Sequence, residues 1–243
     1  MFLAISPPAF ADDSRSLFGL TLSETDKKNS SFEGAYIGLG LNIEVNNNKE
    51  SKYHAELPIA GVPAIDGSSR NNVYFGLAGS LHGGYNFEIN PKILLGVGVE
   101  LSASDSHNNV TTDLYFTGTA SSPPVLLGTT ENESHLWGRV NVFISPGYVI
   151  SKDKLVYTKL GISHMGMFLF NGEPPSITNT YTGYLVGLGY KQVYKENLYR
   201  FGEINYYNYP LEGETFTLDA ANFSTIETSY DSLIIIVGFG YLF

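Results

Sequence analysis

The 243-residue chain has no cysteine, a single tryptophan, and no apolar run of the length a membrane-spanning helix requires. Without cysteine there is no disulfide framework and no thiolate metal or redox site. A spanning helix needs ~18 or more consecutive apolar residues, so any bilayer crossing here must be made by strands. Positive charge is also scarce: 14 Lys and Arg against 24 Asp and Glu leave a formal net charge of −10. Phosphate recognition needs a basic surface, which excludes nucleic acid as a partner. What is abundant is Gly 26, Tyr 17 and Phe 15, with only 16% charged residues. Aromatics suit strands and glycine weakens helices, so the composition favours many strands. The length permits one or two domains, but no internal linker divides it.

Eight segments alternate with period two. In residues 33–45, Ala35, Ile37, Leu39, Leu41 and Ile43 share one face, and Tyr36, Gly38, Gly40 and Asn42 the other. Residues 73–89 set Phe75, Leu77, Leu81, Tyr85 and Phe87 against Gly76, Ser80, His82 and Asn86. Residues 93–102, 134–150, 155–170, 181–192 and 198–209 follow, with less regular alternation after 155. The chain ends SLIIIVGFGYLF, with Leu233, Ile235, Val237, Phe239, Tyr241 and Phe243 in one phase. A strand with an unbroken bulky apolar face needs an apolar medium beside it.

Connections alternate in length. Short ones fall around Pro91, Asp153 and Glu196, and long ones at 46–72, 103–133, 171–180 and 210–229. The long ones hold twelve acids and three bases, a net −9, whereas residues 90–92, 151–154 and 191–197 hold five lysines and two acids. Apolar-out strands with short turns at one end and long loops at the other predict an all-β fold. The specific expectation is an eight-stranded antiparallel up-and-down transmembrane β-barrel with short periplasmic turns and long extracellular loops. Tyr241 and Phe243 with Tyr85, Phe87 and Tyr148 are expected in the periplasmic aromatic girdle. Residues 1–11 read as a signal-peptide remnant, with Ala9-Phe10-Ala11 before Asp12 as the cleavage signal. That stretch is short and lacks a basic start, so Met1 reads as a late or internal start. Residues 12–31 become a periplasmic tail and 32–243 the single barrel domain.

FEGAYIGLGL as first strand, GVGVELS as third, GEINYY as penultimate and VGFGYLF at the end resemble a known group. They are similar to the small eight-stranded porin-like surface proteins of Gram-negative bacteria, which include OmpA-like, opacity-type and haem-binding barrels. The resemblance covers residues 32–243. It implies residence in the outer membrane among lipid and lipopolysaccharide, and surface structure, adhesion or ligand capture by loops. A host surface molecule or haem is the implied loop partner. It also implies that Phe239, Tyr241 and Phe243 form the signal read by the barrel-assembly machinery.

The inward phase carries His82, Glu100, Arg139, Lys159 and Glu203. Eight strands leave an interior that side chains can fill, so these residues are expected to form a lumenal polar network. Glu100 and Arg139 are the expected ion pair, with Lys159 and Glu203 as the alternative partners. Ile234 and Ile236 add an inward apolar patch that could line a small cavity. No cofactor, metal site or catalytic set is expected. Ser163 and His164 are neighbours on a strand and point to opposite faces, which disfavours a nucleophile and base pair. His54, His107 and His135 fall on two loops without ligand spacing, and read as solvated residues. Glu212, Glu214 and Asp219 are expected to bind divalent cations weakly. The leading reading is a non-enzymatic surface barrel. Its alternatives are a small ligand-binding or narrow-channel barrel, a lipid A-modifying enzyme, and a soluble lipocalin-like carrier with its apolar face inward.

Overall fold

In a computed structural model, the described residues are 31–49, 52–56, 64–69, 72–116, 123–170, 177–219 and 222–243, together with 16–17 and 20–21. Most of segments 1–11 and 12–31, read as signal remnant and tail, lies outside the described residues. Eight long strands dominate: β1 (Gly34–Asn48), β2 (Asn72–Asn90), β3 (Ile93–Phe116), β4 (Val125–Ser151), β5 (Lys154–Phe170), β6 (Ile177–Lys195), β7 (Leu198–Asp219) and β8 (Asn222–Leu242). Each pairs antiparallel with its sequence neighbour, and β8 pairs with β1 from Tyr230↔Asn48 to Leu242↔Tyr36. The Phe243 amide donates to the Ala35 carbonyl at 2.9 Å, which carries the seam to the last residue. The sheet is therefore a closed eight-stranded antiparallel barrel.

Its polarity is inverted relative to a soluble protein. On β1, Leu39 and Leu41 are 66% and 73% exposed, while Asn42 and Glu44, on the opposite phase just beyond them, are 2% and 0% exposed. The same alternation repeats on β8, where Leu233, Ile235, Val237, Phe239, Tyr241 and Phe243 face out and Ile234, Ile236 and Leu242 face in. Water cannot be the solvent of such an exterior. From Leu233 to Phe243 a tilted strand climbs about 25 Å, the height of the apolar band of a membrane barrel. The chain is a transmembrane β-barrel, and this corrects the lipocalin-like alternative, whose apolar side chains would point inward. Tyr85 and Phe87 pack at 4.7 Å between ring centroids, and Tyr241 and Phe243 at 5.1 Å, on the outer wall near the short-turn end.

The short turns behave as read. In the β4–β5 turn, Ser151 Oγ donates to Asp153 at 2.7 Å, holding that carboxyl below the usual carboxylate range. The long connections do not. β3 and β4 stay paired out to Phe116↔Val125, and β7 and β8 out to Asp219↔Asn222, so most of 103–133 and 210–229 is strand rather than loop. β3 has 24 residues and β4 has 27, against the ~9–11 needed to cross a bilayer. Two short strands, Lys52–Glu56 and Ile65–Ser69, pair with each other and connect the extensions of β8 and β3. Beyond the apolar band both faces of a ribbon meet water, so alternation disappears from the sequence while the backbone ladder continues.

Glycines thin the wall where neighbours crowd it. A Cβ at Gly238 would sit 2.1 Å from the Leu39 carbonyl oxygen and 2.6 Å from the Phe201 ring, whereas one at Gly79 would meet nothing within 4 Å. Gly238→Val should therefore cost about 1–3 kcal/mol or block folding, and Gly79→Val should be silent. The readout is heat-modifiable migration in detergent, in which the folded barrel and the boiled chain run at different apparent masses. Equal yields of the folded band from both variants would contradict this wall geometry.

Candidate functional site

Strand alternation sends every second side chain into the barrel, and small inward residues make room for long ones from the neighbouring strand. Ile236 lies over Gly40, and the Tyr157 ring over Gly189. Among the described residues, three carboxylates (Glu44, Glu100, Glu203) and three cations (Arg139, Lys159, Lys191) are buried inside. Formal charge in the lumen therefore balances, which a low-dielectric interior demands.

The network has three levels. At the centre, Lys159 Nζ donates to Glu100 Oε2 at 2.6 Å and to Glu203 Oε2 at 2.9 Å. The Tyr157 hydroxyl and Asn205 Nδ2 donate to Glu203, and Asn141 Nδ2 donates to Glu100 at 2.8 Å. Towards the ribbon end, Arg139 Nη1 donates to Glu44 Oε1 at 2.6 Å and Arg139 Nη2 to Asn46 Oδ1 at 3.1 Å. Ser104 and Ser106 donate to the second Glu44 oxygen. Tyr207 joins the two levels: its hydroxyl donates to Glu100, and its ring lies 5.4 Å below the Arg139 guanidinium. Towards the short-turn end, Lys191 Nζ stands 3.9 Å from the centroid of Tyr36 and 4.9 Å from that of Tyr157. His82 contacts the Tyr199 hydroxyl at 3.2 Å and packs edge-on against Phe201 at 4.6 Å.

Thus His82, Glu100, Arg139, Lys159 and Glu203 all lie in the lumen, but the expected Glu100–Arg139 pair is corrected. Arg139 stands opposite Ser102 on β3, two residues from Glu100, yet its long side chain crosses the lumen to Glu44 on β1. Glu100 is taken instead by Lys159. Glu44 was missed although it continues the inward phase of Tyr36, Gly38, Gly40 and Asn42, which was signal enough. Lys191 was counted with a turn, but β6 runs on to Lys195 and places it inside. Phe239, Tyr241 and Phe243 sit on the outer wall and take no part in the network.

Ser163, on the inward phase of Lys159, is buried against the Tyr209 hydroxyl at 2.7 Å, while His164 faces out and contacts Thr182 at 3.0 Å. His54 contacts Asp66 at 2.6 Å. His107 and His135, read as scattered, are direct cross-strand partners on β3 and β4, with ring nitrogens 3.2 Å apart. Their sequence separation of 28 hid a contact that only the ribbon register creates. The side chains of Glu212, Glu214 and Asp219 lie outside the described residues.

No protein-family model and no curated protein matches the sequence. Solved structures with a similar chain path include the outer membrane protein OprG of Pseudomonas aeruginosa, at 15% identity over 88% of this chain and 98% of that one, TM-score 0.45. Ail, the attachment invasion locus protein of Yersinia pestis, is similar at 12% identity over 86% of this chain and 99% of that one, TM-score 0.35. The outer membrane protease OmpT of Escherichia coli is similar at 10% identity over 92% of this chain and 99% of that one, TM-score 0.45. These likenesses concern the barrel fold and do not bear on role.

Removing one member of a buried pair commonly costs about 3–5 kcal/mol, less where water can enter. Arg139→Met and Glu44→Gln should accordingly show a coupling of about 1–3 kcal/mol in a double-mutant cycle of unfolding in detergent. The coupling between Arg139→Met and Glu100→Gln should be smaller. The reverse order would reinstate the pair read from sequence.

Proposed function

We propose that this chain is an outer-membrane surface barrel whose lumen is closed to solutes and whose β-ribbons above the membrane recognise an extracellular ligand. The observation that carries the reading is the lumenal network. Its charges are balanced, its ion pairs join non-adjacent strands, and aromatic rings lie beneath it, which supports a lumen filled by side chains and closed to solutes. What is left accessible is the extension of β3, β4, β7 and β8 with the hairpin between them. The four long connections together carry a net −9, which opposes polyanions such as the heparin analogue bound to Ail and favours a host-surface component with a basic or neutral face. The protein acts without catalysis, and haem is the other ligand class to test. Export through a secretory signal and assembly through the terminal aromatic signal complete the proposal.

Cells displaying the wild-type barrel should bind host-cell surfaces. A variant with residues 109–132 and 212–227 replaced by tight turns should still give a heat-modifiable outer-membrane band but lose that binding. Purified protein should show no steady conductance in planar bilayers. A conducting wild type, or undiminished binding by the trimmed variant, would overturn the proposal.

The assembly signal is separately testable. Phe243 is 67% exposed on the lipid phase and Leu242 only 4% exposed on the inward phase. Phe243→Asp should reduce outer-membrane assembly severalfold more than Leu242→Ala. Equal effects would remove the role assigned to the outward terminal aromatics.

A further inference from the structure

We propose that His107, His135 and Glu133 form a binding site for a divalent first-row transition ion, with zinc as the best fit, on the outer face of the β3–β4 ribbon just above the apolar band. The three candidate ligand atoms form a triangle. His107 Nδ1 and His135 Nε2 are 3.2 Å apart, His135 Nε2 and Glu133 Oε1 3.1 Å, and His107 Nδ1 and Glu133 Oε1 3.7 Å. A point about 2 Å from all three atoms exists, which is the zinc–ligand distance for imidazole and carboxylate. Ligands of a tetrahedral zinc stand about 3.3 Å apart, within the span of these three edges. The fourth position faces solvent, since His107 and Glu133 are half-exposed.

A carboxylate behind one histidine strengthens the case. Asp105 Oδ1 is 2.6 Å from His107 Nε2, so the proton of that imidazole belongs on Nε2 and the lone pair on Nδ1, the atom nearest His135 and Glu133. Carboxylate–histidine–metal arrangements of this kind orient the ring and raise its basicity. The backbone explains why these four side chains share a face. His107↔His135 is a register pair, Glu133 precedes His135 by two residues, and Asp105 precedes His107 by two. The ladder shifts between Ala103 and Ser106, a bulge that re-aims Asp105 at the start of the extramembrane ribbon. Mixed nitrogen and oxygen ligands with open coordination suit zinc, copper or nickel better than calcium or magnesium, which take oxygen. Bound there, the ion clips β3 to β4 where the ribbon leaves the lipid.

The test uses the full-length barrel without an affinity tag, in detergent, titrated with Zn²⁺ and separately with Cu²⁺. Wild type should bind one equivalent of Zn²⁺, and the Cu²⁺ form should show two imidazole nitrogens by electron paramagnetic resonance. His107→Gln and His135→Gln should each weaken Zn²⁺ binding at least tenfold. Asp105→Asn should weaken it about tenfold by removing the carboxylate that orients the His107 ring and raises its basicity. His54→Gln and His164→Gln should leave it unchanged, and the heat-modifiable band should persist in every variant. Saturating Zn²⁺ should also slow proteolysis of the ribbon in wild type but not in His135→Gln. The proposal falls if wild type binds no Zn²⁺, if binding survives in both His107→Gln and His135→Gln, or if His54→Gln or His164→Gln abolishes it.

Discussion

In hydrocarbon an unpaired backbone amide or carbonyl has no water to turn to, and each costs several kcal/mol. That constraint governs the whole molecule. It requires β8 to find β1, so the sheet closes and no edge remains, with the last ladder bond made by Phe243 itself. Closure at eight strands then sets an interior too narrow to stay empty and too wide to be sealed by backbone. The outer wall must meet lipid, so bulky apolar side chains are confined to one phase, and the inner phase is left for everything else.

The contents of the lumen follow from that division. Polar side chains placed inside cannot all be hydrated, so each carboxylate must be met from another strand. Glu100 and Glu203 share Lys159, and Glu44 takes Arg139 with two serines on its second oxygen. Lys191 is held over the rings of Tyr36, Tyr157 and Tyr199, where the negative faces of the rings oppose its charge. The ion pairs join strands two or three apart rather than neighbours, so they brace the wall between non-adjacent strands as well as fill space. A lumen closed in this way shifts any recognition to the polar ribbons outside the membrane.

How far this was legible in sequence depended on the medium around each residue. Within the lipid band two solvents act on two faces, and the alternation of Ile37, Leu39, Leu41 and Ile43 against Asn42 and Glu44 displays both. Strand number, phase and the inward placement of Arg139 and Lys159 all follow from it. The pairing inside the lumen did not follow, because it depends on strand stagger and on how far a side chain reaches. Arg139 passes over its neighbour's carboxylate to one on the opposite wall, and no periodicity records that. Lys191 was overlooked for a simpler reason: it lies at the end of the strand read at 181–192, but its charge was counted with the turn 191–197.

Above the band the physical signal itself changes. A ribbon wet on both faces has no phase to protect, so residues such as Val110, Thr111, Thr112 and Asp113 read as loop although their backbone is fully laddered to β4. The proximity of His107 to His135 is a product of that hidden ladder. Sequence spacing within a strand reveals ligands only when they fall at i and i+2, whereas a cross-strand pair is set by register, and register here shifts at the bulge after Ala103. The part of the chain proposed to meet the outside world is thus the part whose structure rests on hydrogen bonding alone, without the hydrophobic alternation that exposes the rest. Chemistry assembled there has to be sought in the pairing of strands, because that is the only level at which the four side chains become neighbours.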